Sequence, residues 1–195
     1  MSSQLWWYTA RAGGLVAWGL ATASVVWGLL LSGRFSRRRP KPAWVLDLHR
    51  FLGALTVVFV GIHVLALWAD SFVPFGPAEL FVPLASAWKP GPVAWGVVAL
   101  YLLLAIEVTS LLQRRIPRRV WHAVHLSSFA LFGFATIHAL TAGTDSGSLP
   151  VVAFAIGSTA LVANLTVLRV ISRRAGRARR RGPDEAATRI VAARP

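Results

Sequence analysis

All five histidines of this 195-residue chain fall in two apolar stretches: His49 and His63 in one, His122, His125 and His138 in the other. Imidazole is costly to place inside a membrane-length apolar run, so its default reading is functional. The plain alternative is a polar side chain hydrogen-bonded between helices. The spacing favours ligands. His49 and His63 are 14 residues apart, His125 and His138 are 13 apart, and each interval corresponds to about 20 Å of helix rise. If the two stretches run parallel, they offer two His–His pairs stacked one above the other. A metal in a flat macrocycle takes axial ligands from opposite sides, which facing helices supply, whereas zinc wants three or four ligands converging on one point. Neither level offers that unless His122 joins His49 and His125. Bis-histidine b-type haem therefore fits better than zinc. The register carries one strain: fourteen residues return nearly to the same helix face, but thirteen turn through about 220°. The second helix then needs a local bulge, a rotation or an off-centre ring, and Gly133 is the expected place.

The rest of the chain must hold these residues in a membrane. It is 55% hydrophobic and 14% charged, where a soluble chain carries about a quarter charged residues. Five apolar stretches reach spanning length, roughly 20 residues each: about Ala12–Leu31, Leu46–Ala69, Val93–Leu112, Val120–Thr141 and Leu149–Val170. Pro40 and Pro42, Pro74 to Pro92, Pro117 and the run from Gly143 to Pro150 mark the breaks. Ala21-Thr22-Ala23 resembles a cleavage site, but the apolar run continues to Leu31 and stops at an Arg cluster, so the first stretch reads as a span and not a signal peptide.

The net charge of +14 is concentrated in alternate loops. Arg34, Arg37, Arg38, Arg39 and Lys41 lie in the first loop, Arg114, Arg115, Arg118 and Arg119 in the third, and Arg169 to Arg181 towards the tail. The second and fourth loops carry Lys89 with Asp70 and Glu79, and Asp145. The positive-inside rule puts the N-terminus outside and the C-terminus in the cytoplasm. That accounts for the charge without a nucleic-acid partner. With no cysteine there is no disulfide framework, thiolate metal site or iron–sulfur cluster. The expected fold is an all-α integral membrane bundle of five transmembrane helices, with the membrane domain over 1–170 and a disordered, Arg-rich cytoplasmic tail over 171–195.

Gly53, Gly61 and Gly133 lie near the histidines and could let a ring approach the backbone. Arg50, Arg118 and Arg119, near the cytoplasmic boundary, could pair with haem propionates or act as ordinary anchors. Glu107 is expected to snorkel towards Arg114 and Arg115, and Ser127-Ser128 to bond between helices.

His49-x13-His63, His125-x12-His138, Trp121-x-x-x-His125-Leu126 and the run Trp7-Tyr8-Thr9-Ala10-Arg11-Ala12-Gly13 together resemble the ferric reductase-like transmembrane domain. That family includes ferric reductases, NADPH oxidases and the haem subunit of a bacterial methionine sulfoxide reductase system. The resemblance covers about Trp6 to Val170 and implies two b haems ligated by His49, His63, His125 and His138, with His122 the alternative to His125. Many relatives have six spans where five are counted here. About 25 residues follow the fifth span, without a Gly-rich phosphate loop, so no flavin or nicotinamide domain is expected on this chain. The expected function is a di-haem b-type cytochrome of the cytoplasmic membrane. It would take electrons from a separate flavoprotein or quinol and pass them to an external acceptor. The competing readings are a non-redox transporter or assembly protein, and the cytochrome b subunit of a quinone-linked complex.

Overall fold

The computed structural model describes residues 2–32, 43–71, 73 and 75–192, with side chains at 2–3 and beyond 175 outside the description. The loop with Arg34, Arg37, Arg38, Arg39 and Lys41 therefore lies outside the described residues. Seven helices follow in order: α1 Ser2–Ser32, α2 Ala43–Ala69, α3 Pro77–Phe81, α4 Pro90–Leu111, α5 Arg118–Leu126, α6 Ser128–Ala142 and α7 Leu149–Ala192. Among the described residues there is no strand. Five stretches are long and apolar enough to cross a membrane: α1, α2, α4, α5 with α6, and the first part of α7. The five expected spans are all present. Helical backbone also continues from α7 to Ala192, through the segment expected to be disordered; its Arg, Ala and Glu residues are good helix formers.

Lipid is as apolar as leucine, so these helices associate through close packing and specific polar contacts. The helix α1 runs against α2, α4 against α6, and α1 also touches α6 and α7. A Cβ added at Gly13 would lie 3.4 Å from the His63 backbone nitrogen and 3.5 Å from the Phe59 carbonyl oxygen. Glycine there lets the two backbones approach. Leu29 of α1, Phe132 of α6 and Val162 of α7 form one buried cluster; Ala99, Leu103 and Ile106 of α4 form another with Leu131 of α6. Many large apolar side chains, among them Phe51, Leu65, Leu111 and Ile156, remain exposed and make the lipid-facing surface.

One buried polar contact ties the bundle across its middle. The Trp18 Nε1–H of α1 donates to Thr136 Oγ1 of α6 at 3.0 Å, and Trp18 meets Phe154 of α7 edge-on at 4.7 Å. Trp18→Phe keeps the ring contact and removes the donor, while Thr136 retains its bond to the Phe132 carbonyl. The expected cost is about 1 kcal/mol, read as a lower unfolding midpoint in detergent with the helix content unchanged.

Candidate functional site

The fourth span is broken between His125 and His138. Ser127 separates α5 from α6: its N–H donates to the Val124 carbonyl at 3.0 Å, and its Oγ donates to the same oxygen at 2.6 Å. A short hydroxyl side chain competing for the i−3 carbonyl is a known way to interrupt a helix. The i→i+3 turn winds further per residue than an α-helical one, the direction in which 220° approaches a full turn. The irregularity expected at Gly133 thus lies at Ser127, and Ser127 bonds within its own segment and not between helices.

With that break, α2 and the α5–α6 span bring their histidines together at two levels. The rings of His49 and His125 are 6.0 Å apart between centres with their planes at 77°. Those of His63 and His138 are 6.3 Å apart at 79°. His122 is exposed and belongs to neither ring pair, and Trp121 stacks on His125 at 5.1 Å and 20°. Among the described residues no three histidine, aspartate, glutamate or cysteine side chains gather as a metal cage. Each level offers two imidazoles.

Three of the four rings are oriented by a hydrogen bond at Nδ1. His63 Nδ1 bonds the Ala10 carbonyl at 2.7 Å, and His138 Nδ1 bonds the Pro92 carbonyl at 2.9 Å. A carbonyl oxygen only accepts, so Nδ1 carries the hydrogen in both. In the neutral ring Nε2 is then the bare nitrogen, the one free to bind a metal. His49 Nδ1 has a weaker contact with Ser24 Oγ at 3.4 Å, and His125 Nδ1 is buried with no partner among the described residues.

Glycines on other helices make room for the rings. A Cβ on Gly14 would lie 3.0 Å from His63 Nδ1, one on Gly28 3.3 Å from His49 Cε1, and one on Gly96 2.7 Å from His138 Cε1. Gly14 and Gly28 are 14 residues apart on α1, the interval between His63 and His49 on the antiparallel α2. That repeat was the available signal, and sequence reasoning passed over it. It named Gly61 and Gly133 instead, where a Cβ would meet open space, and Gly53, where it would meet Glu107 Oε1 at 2.6 Å. Glu107 therefore turns towards α2, one helical turn from His49, rather than towards Arg114 and Arg115.

The proposed propionate partners are not drawn to the site. Arg118 and Arg119 are exposed at the start of α5, and Arg50 is exposed with a 3.5 Å contact to Asp47. At the His63 level a cavity of about 220 Å³ is lined by His63, His138, Gly14, Gly96 and also by Arg11 and Asp145. Arg11 Nε donates to Asp145 Oδ2 at 3.1 Å and its Nη2 to Oδ1. That guanidinium holds the Asp145 carboxyl, in the turn after α6, below the usual carboxylate range. Its contribution to stability is present at neutral pH and is lost only as pH falls through the lowered value.

A family described as the ferric reductase like transmembrane component matches residues 14–136. The chain belongs to that family. Membership and the five spans make it a multi-pass membrane protein with a membrane redox-related role. The matched segment of this ferric reductase-like chain runs from Gly14 in α1 into α6. It contains His49, His63, His122 and His125, and stops two residues before His138. Arg11 and all of α7 lie outside it. No curated protein and no solved structure matches the chain significantly.

Proposed function

We propose that this chain is the haem-bearing core of a transmembrane electron-transfer system, with one b-type haem between His49 and His125 and a second between His63 and His138. When bound, each haem supplies a one-electron ferric/ferrous couple. The observation that carries the reading is the pair of ring separations. Two imidazoles on opposite sides of one metal, with bonds of about 2.0 Å and about 1.1 Å more to each ring centre, stand about 6.2 Å apart. The distances here are 6.0 and 6.3 Å.

The chain's own residues do three things in this reading. Ala10 and Pro92 hold the two rings of the second level in the tautomer that leaves Nε2 bare. Gly14, Gly28 and Gly96 let those rings and the His49 ring stand against neighbouring helices. Apolar side chains such as Val60, Val97 and Leu103 line most of the cavity at the His63 level. In this reading the His49 level faces the cytoplasm, as the positive-inside rule favours, with a flavoprotein or quinol as donor, and the His63 level faces an external acceptor across the cytoplasmic membrane. With His49 and His125 holding one haem and His63 and His138 the other, the acceptor would receive its electron without binding as a metal ligand.

The full chain, purified in mild detergent and supplied with haem, is expected to show about two low-spin b haems per polypeptide in reduced-minus-oxidised spectra. One haem would keep the fold but break the path between the two faces. A protein that stays colourless overturns the reading and favours histidines that serve packing or proton relay.

A further inference from the structure

The cavity at the His63 level holds a cation that histidine ligation does not use. Arg11 lies on α1 next to Ala10, whose carbonyl holds the His63 ring, and three residues before Gly14, which faces that ring. Among the described residues that line the cavity, it is the one cationic side chain. Lys89, the other cation of the neighbouring turns, donates instead to the Thr141 carbonyl and stands over the Trp88 ring.

Asp145 engages the guanidinium from one side only. The fork uses Nε and one Nη2 hydrogen, two of five N–H donors. It joins α1 to the turn after α6 and fixes the guanidinium plane. Among the described residues, Nη1 takes no hydrogen bond, so the end edge of the fork is uncommitted. A planar guanidinium held along one edge is pre-organised to take a second carboxylate on the other, without the entropy loss of a free arginine.

Haem b carries two carboxylates, and the other side chains that line this cavity are neutral or acidic. We propose that Arg11, held side-on by Asp145, takes a propionate of the haem between His63 and His138 on the free edge of its guanidinium. The proposal rests on the haem reading above and makes Arg11 a positioning residue. It also departs from the expectation that Arg50, Arg118 and Arg119 supply the propionate contacts, all of which belong to the other level.

Potentiometric titration of the haem-loaded full chain separates the two ideas. If the wild-type chain binds no haem, the haem reading itself fails, whatever Arg11 does. With both haems present, Arg11→Gln removes a cation that favours the reduced state. It should shift one haem about tenfold towards its oxidised form, about 59 mV for a one-electron couple, and leave the other unchanged. Asp145→Asn keeps the cation and should not lower either potential; a mere tie between helices would make the two variants alike. Arg11→Lys, which keeps the charge but loses the fork, should move the propionate carboxylate band in redox-difference infrared spectra of propionate-labelled haem. Wild-type potentials in Arg11→Gln, or an unmoved band in Arg11→Lys should the glutamine variant not accumulate, overturn the proposal.

Discussion

Replacing His138 with alanine should leave the purified chain with about one b haem where the wild type is expected to hold about two. In liposomes, transfer from an internal reductant to an external acceptor should fall to background. The reason is that each level has two imidazoles and no reserve. His63 loses its partner 6.3 Å away, and among the described residues no third ligand stands ready to replace it. The fold should survive, because the His138 ring is tied to Pro92 alone and the α4–α6 contact is carried by Leu131, Leu103 and the stacked Trp95–Phe134 pair. His122→Ala is the control: its exposed ring takes no part in either pair, so haem content and transfer should both stay at wild-type values. Two haems retained in His138→Ala would sink the assignment of that level.

The second large effect is steric. A methyl at residue 96 would lie 2.7 Å from His138 Cε1, 2.8 Å from Nδ1 and 3.0 Å from Nε2. The whole ring face is in the way, and the ring cannot simply swing aside. Its Nδ1–H is bound to the Pro92 carbonyl, one turn earlier on the same helix. Gly96→Ala should therefore displace the imidazole and cost most of the haem at that level, while α4 itself gains about 0.5–1 kcal/mol of helix preference. Gly14→Ala and Gly28→Ala form a graded series, since their added carbons would meet His63 at 3.0 Å and His49 at 3.3 Å. Haem retention measured across the three variants should rise in the order Gly96, Gly14, Gly28. Equal retention in all three would mean that the rings move freely and the glycines are not a cradle.

Most of the bundle could be read from the chain because lipid imposes a strong rule. Runs such as Leu46–Ala69 have no other stable form than a buried-backbone helix. The pairing of His49 with His125 and of His63 with His138 was likewise visible, as two intervals of 14 and 13 residues on parallel spans. What escaped depends on contacts between helices remote in sequence. The break at Ser127 comes from a hydroxyl taking a local carbonyl, a choice that a Ser-Ser pair in an apolar run does not announce. Gly61 and Gly96 look equivalent in the chain, and only the crossing of α4 with α6 makes one a seat for a ring. The same holds for Arg11, whose fork with Asp145 exists only because α1 meets the turn after α6.

The two levels also differ in how finished they are before anything binds. At the second, both imidazoles are already aimed by backbone carbonyls at 2.7 and 2.9 Å; at the first, one ring leans on a hydroxyl at 3.4 Å and the other stacks on Trp121 with no hydrogen bond at Nδ1 among the described residues. Fixing a loose side chain costs about 0.5–1.5 kcal/mol of lost rotamer freedom, and that cost falls mainly on the His49–His125 level. Assembly then has an order. If haem binds as proposed, the His63–His138 level should fill first when haem is scarce, and the His49–His125 level should empty first under prolonged detergent washing. On the proposed haem reading, maturation would be gated at the end where electrons enter: a half-loaded chain would stand with its exit built and its entrance missing, unable to draw reducing equivalents until the last haem arrives.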